Sequence, residues 1–298
     1  MGVLLKRRVM HTVLYVISIV IALITGFPFL FLVINSFKGM GEYLTNIWML
    51  PKEPYLGNYQ MILKPDFLRY FLNSVIVSAI SVFIIVVVSS MISFTFARMR
   101  YRGKNLLYFA IIAGMMIPVH TTLIPTFTLL SSIGLTDSLA GLVGPYVSYN
   151  IPIAVFILTQ FFQEIPKELE EAAIIDGCSI VGTFKNIILP LSGPAISTIV
   201  VYTFLNIWNE FINANVLITS SANKTLPLGI REFYGMQSVN IPAVLALQSW
   251  WDPFPLSFCT FCAGEGGERI DTGSGQGLRK RRDADMDFER EQGNWWDR

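Results

Sequence analysis

The side chains that could do chemistry in this chain are few and widely spaced. One carboxylate, Glu210, stands in an apolar stretch together with Asn206, Asn209 and Asn213, at the spacing of one helix face. Ionisable groups in apolar segments are costly and usually face a cavity or a partner. Two interpretations stay open at this point. The four residues form a wall of a solute pathway, or they hold the fold together by hydrogen bonds.

Catalytic and metal-binding constellations are not found in the sequence. It has two histidines and three cysteines, and it contains no phosphate-binding glycine loop, no Ser-His-Asp set and no zinc-spaced histidines. Cys259 and Cys262 form a single Cys-x-x-Cys pair without a second pair or a nearby histidine. The sequence therefore predicts that the protein is not an enzyme and has no catalytic residues, no metal site and no cofactor of its own.

Composition places the chain in a membrane. Of its 298 residues, 53% are hydrophobic and only 14% are charged, whereas soluble domains carry about 25% charged residues. The net charge of +1 gives no overall basic field, so nucleic acid is excluded as a predicted partner.

Long apolar runs predict five complete transmembrane helices, because about 20 apolar residues span a bilayer. The predicted spans are residues 12–35, 71–97, 105–130, 139–162 and 193–217. Pro118 and Pro125 are expected to kink the third span. A sixth run opens at Ile241 but is broken at Trp250–Pro253. We therefore expect a transmembrane domain over residues 12–248 with an incomplete sixth helix, and an aberrant, disordered tail over residues 249–298.

Clusters of cations beside the spans predict the orientation of the chain. Lys6, Arg7 and Arg8 precede the first span, and four cations between Arg98 and Lys104 follow the second. Such clusters stay on the cytoplasmic side of a bacterial plasma membrane. Residues 1–11 are therefore expected in the cytoplasm, and the loop between the fourth and fifth spans is expected on the same side.

That cytoplasmic loop has the pattern of two short helices separated by a turn. Residues 166–176 are good helix formers, with Pro166 at the start and acids in the first turn. Gly177 stops or bends this helix, and a second helix is expected from about Ile180 to Ile188, up to Pro190. The pattern predicts a compact knob at the membrane surface, defined here as residues 166–190.

The knob resembles the EAA loop of ABC-importer membrane subunits. That loop has the pattern E-A-A, three residues, G, nine residues, I-x-L-P, and the matching residues are Glu171, Ala172, Ala173, Gly177, Ile187, Leu189 and Pro190. Between Phe37 and Leu245 the chain also resembles the carbohydrate-uptake branch of these permeases, the maltose-permease-G-like subunits. Segments that carry this resemblance include Phe71–Ser74, Ile133–Ser138, Trp208–Phe211 and Thr225–Gly229.

The resemblance implies a type I ABC importer permease fold with six spans. The implied cargo is a sugar or sugar-like solute, such as an oligosaccharide, a monosaccharide derivative or a glycerol phosphate. The implied partners are a homologous permease subunit, two ATPase subunits that hold ATP and Mg, and an extracellular solute-binding protein. An ATPase-independent secondary transporter or channel is the alternative, which predicts charged residues at the bilayer midplane and repeat-related broken helices.

The resemblance also implies a role for the knob, which would seat as a coupling helix in a cleft of the ATPase. Glu171 would offer a carboxylate to a basic residue of that partner, and Asp176 would lie in the same contact. Gly177 would allow the sharp turn and close approach. Ala172 and Ala173 would be small enough to seat against the partner surface.

The C-terminal residues predict a shifted reading frame. Where the family has a full sixth span and an ending resembling GLTxGxVKG, this chain has a polar tail. Codons that encode Gly267–Leu278 can also yield V-N-G-L-T-Q-G-Q-V-K-G when they are read one nucleotide later. We expect the slip between about Leu247 and Gly264. Gene sequencing tests this, since bases that cannot yield V-N-G-L-T in the shifted frame would exclude it.

Overall fold

The computed structural model describes residues 2–233, 240–251, 253–262 and 264. Within these ranges the backbone forms helices joined by loops, and no strand occurs among them, which confirms the predicted all-α class. The chain divides into two compact units. Unit 1 contains the described residues of 1–73 and 224–254, and unit 2 contains those of 74–223 and 255–298.

The helices follow one another closely along the chain. In order they are α1 (Gly2–Ser36), α2 (Met40–Thr45), α3 (Gly57–Ile62), α4 (Pro65–Arg98), α5 (Lys104–Ala113), α6 (Val119–Ser132), α7 (Leu139–Glu164), α8 (Glu168–Ile175), α9 (Ile180–Thr183), α10 (Leu189–Leu191), α11 (Gly193–Trp208), α12 (Ile212–Leu217), α13 (Leu226–Ile230) and α14 (Ile241–Trp251). A π-helical turn, Phe184–Ile188, joins α9 to α10.

Within the described residues, three single helices are long and apolar enough to cross a membrane, namely Met10–Ser36 within α1, α4 and α7. They cover the first, second and fourth predicted spans, as expected for a multi-pass membrane protein. α4 begins earlier than the predicted residue 71. Pro65 at its first position and Asp66 in its first turn both favour a helix N-terminus there.

The third predicted span is broken. α5 and α6 together are apolar enough to cross a membrane, but their axes differ by 100°. Ile117 and Pro118 between them have extended backbone, with ψ angles of 115° and 130°, because a proline disfavours the helical conformation at the residue before it. Pro125, the second expected kink, lies inside α6.

The fifth predicted span is also interrupted. The sequence predicts one helix over residues 193–217, whereas α11 ends at Trp208 and α12 begins at Ile212. The carboxylate of Glu210 lies in the break and accepts hydrogen bonds from the backbone N–H groups of Asn213 (2.7 Å) and Ala214 (3.3 Å). Glu210 therefore satisfies first-turn donors of α12 that would otherwise bond to carbonyls of a continuous helix.

The sixth apolar run differs from the expectation at its predicted break. α14 extends through Trp251, whose ring stacks on Phe71 with centroids 4.5 Å apart. The backbone is helical again over residues 253–262, because proline is tolerated in the first turn of a helix. Asp252 and residues 265–298, which make up most of the predicted tail, lie outside the described residues.

Unit 1 is built around α14, which packs against α1 and α3. After α1, the chain is held by a fully buried lysine. The ammonium of Lys38 donates hydrogen bonds to Asn35 Oδ1 (2.9 Å) and to the carbonyl oxygens of Asn46 (2.8 Å) and Ile47 (3.0 Å). Asn58 donates to the Lys38 carbonyl at 2.8 Å. The buried ammonium thus fixes the conformation of the loop after α1, which the hydropathy of the sequence does not predict.

Unit 2 is organised by α7, which contacts α5, α6, α11 and α12. At its N-terminal end, Asp137 has a φ of 53°, a left-handed conformation that aspartate tolerates better than most residues. Its Oδ1 accepts hydrogen bonds from the backbone N–H groups of Thr219 (2.9 Å) and Ser220 (2.8 Å) and from the Ser220 hydroxyl (2.9 Å). We call this contact between the α6–α7 loop and the chain after α12 the Asp137 clasp.

Candidate coupling and translocation sites

The first half of the knob is a capped helix. Three of the four acids of the knob lie in the first turn of α8, where the helix dipole favours them; they are Glu168, Glu170 and Glu171. Gly177 follows the helix with a φ of 86°. The N–H of Cys178 donates to the carbonyl of Ala173 (2.9 Å), and the N–H of Gly177 donates to that of Ile174 (3.0 Å). This pair of bonds is the Schellman motif, which requires a residue that adopts positive φ at Gly177.

The second half of the knob is helical but irregular. The hydroxyl of Ser179 accepts a hydrogen bond from the N–H of Gly182 (3.2 Å) and caps α9. The π-helical turn then leads into α10, and Phe184 within that turn packs on Phe94 of α4 with centroids 4.9 Å apart. Pro190 does not stop the helix as the sequence predicts. It lies in the first turn of α10, where its missing N–H leaves no bond unmade.

The predicted coupling residues fall into three groups by exposure. The exposed ones are Glu171, Ala172, Asp176, Gly177 and Pro190, and Ile187 and Leu189 are half-buried. Ala173 is buried within this chain, with 5% of its surface exposed. This burial does not agree with the expectation that Ala173 contacts a partner. It lies one helical turn from Glu170 on the inward side of α8, which leaves Ala172 as the alanine accessible to a partner.

An apolar face covers the outward side of the knob. Ile175 is 86% exposed and Val181 73% exposed, and Ile174 and Ile180 are each more than half exposed. Ile174 and Ile175 lie in α8, whose first turn is acidic, and Ile180 and Val181 open α9 after the turn at Gly177. Clustered exposed apolar residues rimmed by charges are typical of a protein-binding surface.

One candidate residue of the knob has no counterpart among the residues predicted from the sequence. Glu170 forms an ion pair with Arg98 Nε at the end of α4, with side chains 15% and 7% exposed respectively. Arg98 Nη2 also donates a hydrogen bond to the carbonyl of Ile165, at the end of α7, at 2.8 Å. We call these two contacts the Arg98 tie. Arg98 belongs to the cationic cluster that was interpreted only as a topology signal, so no feature of the sequence singled it out.

The predicted pathway residues line one cavity. A cleft of about 700 Å³ opens between α6, α7 and the α11–α12 break. Asn206, Asn209, Glu210 and Asn213 all lie on its wall. The remaining walls combine aromatic rings and aliphatic side chains with His120 and one further amide, Asn150. The rings are Tyr146, Tyr149, Tyr202 and Phe211, and the aliphatic side chains are Met115, Val119, Ile153, Ile207 and Ile212. The wall therefore offers ring faces and hydrogen-bonding groups, as ligand pockets commonly do.

The four pathway residues have different roles within that wall. Glu210 accepts hydrogen bonds from the Tyr146 hydroxyl (2.7 Å) and the Asn213 amide (3.0 Å), in addition to the two backbone donors at the start of α12. Its carboxylate therefore holds α7 to the helix break. Asn206 and Asn209 donate to the carbonyls of their own helix and remain exposed to the cleft. Glu210 and Asn213 thus take part in hydrogen bonds at the helix break, whereas Asn206 and Asn209 keep surface open to the cleft.

Metal chemistry has no support in the described part of the chain, where no cluster of three or more His, Cys, Asp and Glu side chains occurs.

A known family matches the chain over the region that contains both sites. Residues 89–249, more than half of the chain, match the family described as "Binding-protein-dependent transport system inner membrane component". The chain belongs to this family. The matched region includes the Arg98 tie, the knob and all the cavity residues, so the two sites described above are features of the permease domain itself.

Relatives of the permease are found in several organisms. It is 48% identical over 225 residues to the ABC transporter permease protein ORF2 of Caldicellulosiruptor sp. (strain Rt8B.4), covering 75% of this chain and 82% of the relative. It is 30% identical over 236 residues to the trehalose/maltose transport system permease protein MalG of Thermococcus litoralis, covering 78% and 84%. It is 30% identical over 232 residues to the diacetylchitobiose uptake system permease protein NgcG of Streptomyces coelicolor, covering 78% and 76%.

The fold of the permease also matches a solved importer. A chain of a bacterial ABC transporter involved in the import of the acidic polysaccharide alginate superposes with a TM-score of 0.71 at 20% identity, covering 86% of this chain and 96% of that chain. A second structure of an alginate ABC transporter, in complex with a periplasmic protein bound to an alginate pentasaccharide, gives a TM-score of 0.59 at 18% identity, covering 86% and 93%. The predicted ABC importer permease fold is thereby confirmed.

Proposed function

We propose that this permease is the membrane-spanning subunit of an ATP-driven importer for a sugar or sugar-like solute, coupled to ATPase subunits through the knob. The observation that carries the coupling is the exposed apolar face of α8 and α9 on a rigidly capped loop. A short, capped helix with an apolar face can follow a partner as a rigid body. The outward carboxylate of Glu171 lies beside that face and would pair with a cation of the ATPase.

The proposed orientation is supported by the contact between Arg98 and the knob. Arg98 at the end of α4 touches Glu170 in the knob, so the cationic cluster of residues 98–104 and the knob lie at the same end of unit 2. Cationic flanks favour the cytoplasmic side. The knob is therefore proposed to face the cytoplasm, where ATP and Mg would be held by the ATPase subunits. The cations Lys6, Arg7 and Arg8 ahead of the first apolar run support the same proposal for the N-terminus.

The solute pathway is proposed to run along the cavity lined by Asn206, Asn209, Glu210 and Asn213. Trehalose/maltose and diacetylchitobiose occur in the names of relatives, and the neutral amides and aromatic rings of the cavity suit such hydroxyl-rich solutes. A homologous permease subunit would complete the pathway, and an extracellular solute-binding protein would deliver the solute.

Affinity purification of the tagged permease from its native membrane tests the assembly, with ATPase subunits expected in the purified complex. Gly177→Trp should retain membrane insertion but lose ATP-dependent uptake, because its φ of 86° is strained for any side chain with a Cβ. Glu171→Lys should weaken ATPase binding by charge reversal. Uptake is measured in proteoliposomes with maltose, trehalose and diacetylchitobiose as probes. Uptake that continues without ATPase subunits would favour a secondary transporter or channel and contradict the proposal.

A further inference from the structure

The Arg98 tie joins the ends of three helices through one guanidinium. Arg98 is the last residue of α4, Glu170 lies in the first turn of α8, and Ile165 directly follows α7. The planar guanidinium offers several N–H donors in a fixed geometry, so it can pair with the carboxylate and donate to the carbonyl at once. A lysine ammonium has no such fork and would hold one of the two contacts less well.

The tie fixes the rotation of α8 about its own axis. Glu170 and Ala173 are three residues apart and both point toward this chain, whereas Glu171, Ile174 and Ile175 point outward. Because the charges of Arg98 and Glu170 are mostly buried, separating them leaves uncompensated charge at a high cost. The outward face of α8 is therefore presented at one angle.

α7 links the Arg98 tie to the cavity. From Ile165 at the tie to Tyr146 on the cavity wall the helix advances about 29 Å, at about 1.5 Å per residue. Tyr146 then bonds to Glu210 at the break between α11 and α12. A continuous set of bonds thus runs from α8, through Arg98 and α7, to the residues that line the cleft.

We propose that Arg98 is a positioning residue that transmits movement of α8 to α7 and so to the cavity. This inference rests on the proposed function, since it takes the knob as the part of the permease that the ATPase moves. Without the tie, the ATPase would still bind the outward face of α8, but α8 would turn without moving α7.

The experiment uses the complete purified transporter in proteoliposomes. The native cysteines are replaced by serine, and Asn209→Cys in the cavity serves as a reporter whose modification rate by N-ethylmaleimide is measured with and without ATP and vanadate. We expect ATP and vanadate to change this rate in the reference protein. Arg98→Gln and Glu170→Gln should shrink that change about fivefold, while the ATPase subunits stay bound. The charge-swapped pair Arg98→Glu with Glu170→Arg should recover part of the response.

Matched variants separate transmission from folding. Glu168→Gln removes the same charge from the same turn at an exposed position and should leave the response unchanged. Arg98→Lys should give an intermediate response, and if Arg98 variants fail to insert, Glu170→Gln alone decides. A full nucleotide response in Glu170→Gln, loss of the ATPase subunits from it, or no response in the reference protein would each overturn the inference. A full response in Gly177→Trp would instead overturn the proposed coupling through the knob.

Discussion

The two ends of α7 are held by different chemistry. At the C-terminal end, Arg98 joins Ile165 and Glu170 through a mostly buried ion pair. At the N-terminal end, the carboxylate of Asp137 in the clasp is bound by three neutral donors. They are the backbone N–H groups of Thr219 and Ser220 and the hydroxyl of Ser220. Each contact connects segments that are distant in sequence, but one depends on opposite charges and the other on the path of the backbone.

The difference bears on what each end can do. A mostly buried ion pair costs much free energy to separate, so α8 and the ends of α4 and α7 keep their contact when one of them moves. A carboxylate bound by backbone N–H groups keeps its bonds only while both loops keep their conformation. We infer that the C-terminal end of α7 moves together with α8 through this ion pair and that the N-terminal end holds two loops in place.

Breaking the charged connection should have the largest effect on stability. Arg98→Ala leaves Glu170 without its partner in a mostly buried position, so the free energy of unfolding should fall by about 3 kcal/mol. Chemical denaturation of the purified complex in detergent micelles measures this. Arg100→Ala removes a cation from the same cluster at an exposed position and should change stability little. Equal losses in the two variants would remove the distinction between the two ends.

Removing the carboxylate of the clasp should have a somewhat smaller effect. Asp137→Ala leaves two N–H groups without their acceptor and puts alanine at a φ of 53°, so a loss of about 2 kcal/mol is expected. Asp137→Asn keeps an acceptor oxygen and tolerates the same φ, and it should lose less than half as much. The same denaturation assay applies, and an Asn variant as unstable as the Ala variant would show that charge, not backbone geometry, controls this end.

The bond between α7 and the helix break should contribute less again. Tyr146→Phe removes one of the four donors to Glu210, and hydrogen bonds to charged groups contribute about 1.5 kcal/mol or more. Tyr202→Phe, on a half-exposed ring of the same cavity, is the matched control with little expected change. If Tyr146→Phe matches its control in thermal unfolding, Glu210 does not need α7 to hold the break.

The stability of the clasp should not change with pH near neutrality. Backbone hydrogen bonds from Ser220 and Thr219 hold the pKa of Asp137 below its ordinary value of 3.8. A lowered folded-state pKa means that the stabilisation is fully present above about pH 3.8 and is lost as the pH falls through the lower, folded value. Hydrogen exchange of the Thr219 and Ser220 amides, corrected for intrinsic rates, should stay protected at pH 5 and open only in stronger acid. Opening already at pH 5 would contradict this prediction.

Local features of the sequence were enough for the class of protein and the position of most spans. The length of an apolar run determines whether a helix can cross a bilayer, so α1, α4 and α7 were located without any contact being known. The turn at Gly177 was equally local, because a helix followed by glycine specifies the Schellman cap by itself. The knob therefore followed from the residues alone, whereas its seven matching residues came from the resemblance to the EAA loop.

Tertiary contacts decided which polar side chains face inward and where the apolar helices break. Two adjacent acids, Glu170 and Glu171, are equivalent in the sequence, yet only Glu170 turns inward, because Arg98 lies beside it in the fold. The polar face at Asn206–Asn213 was predicted as part of one helix, but Glu210 breaks that helix by taking donors from the next turn and from Tyr146 on α7. Which way a charged side chain faces depends on partners far along the chain, and neither periodicity nor composition records them.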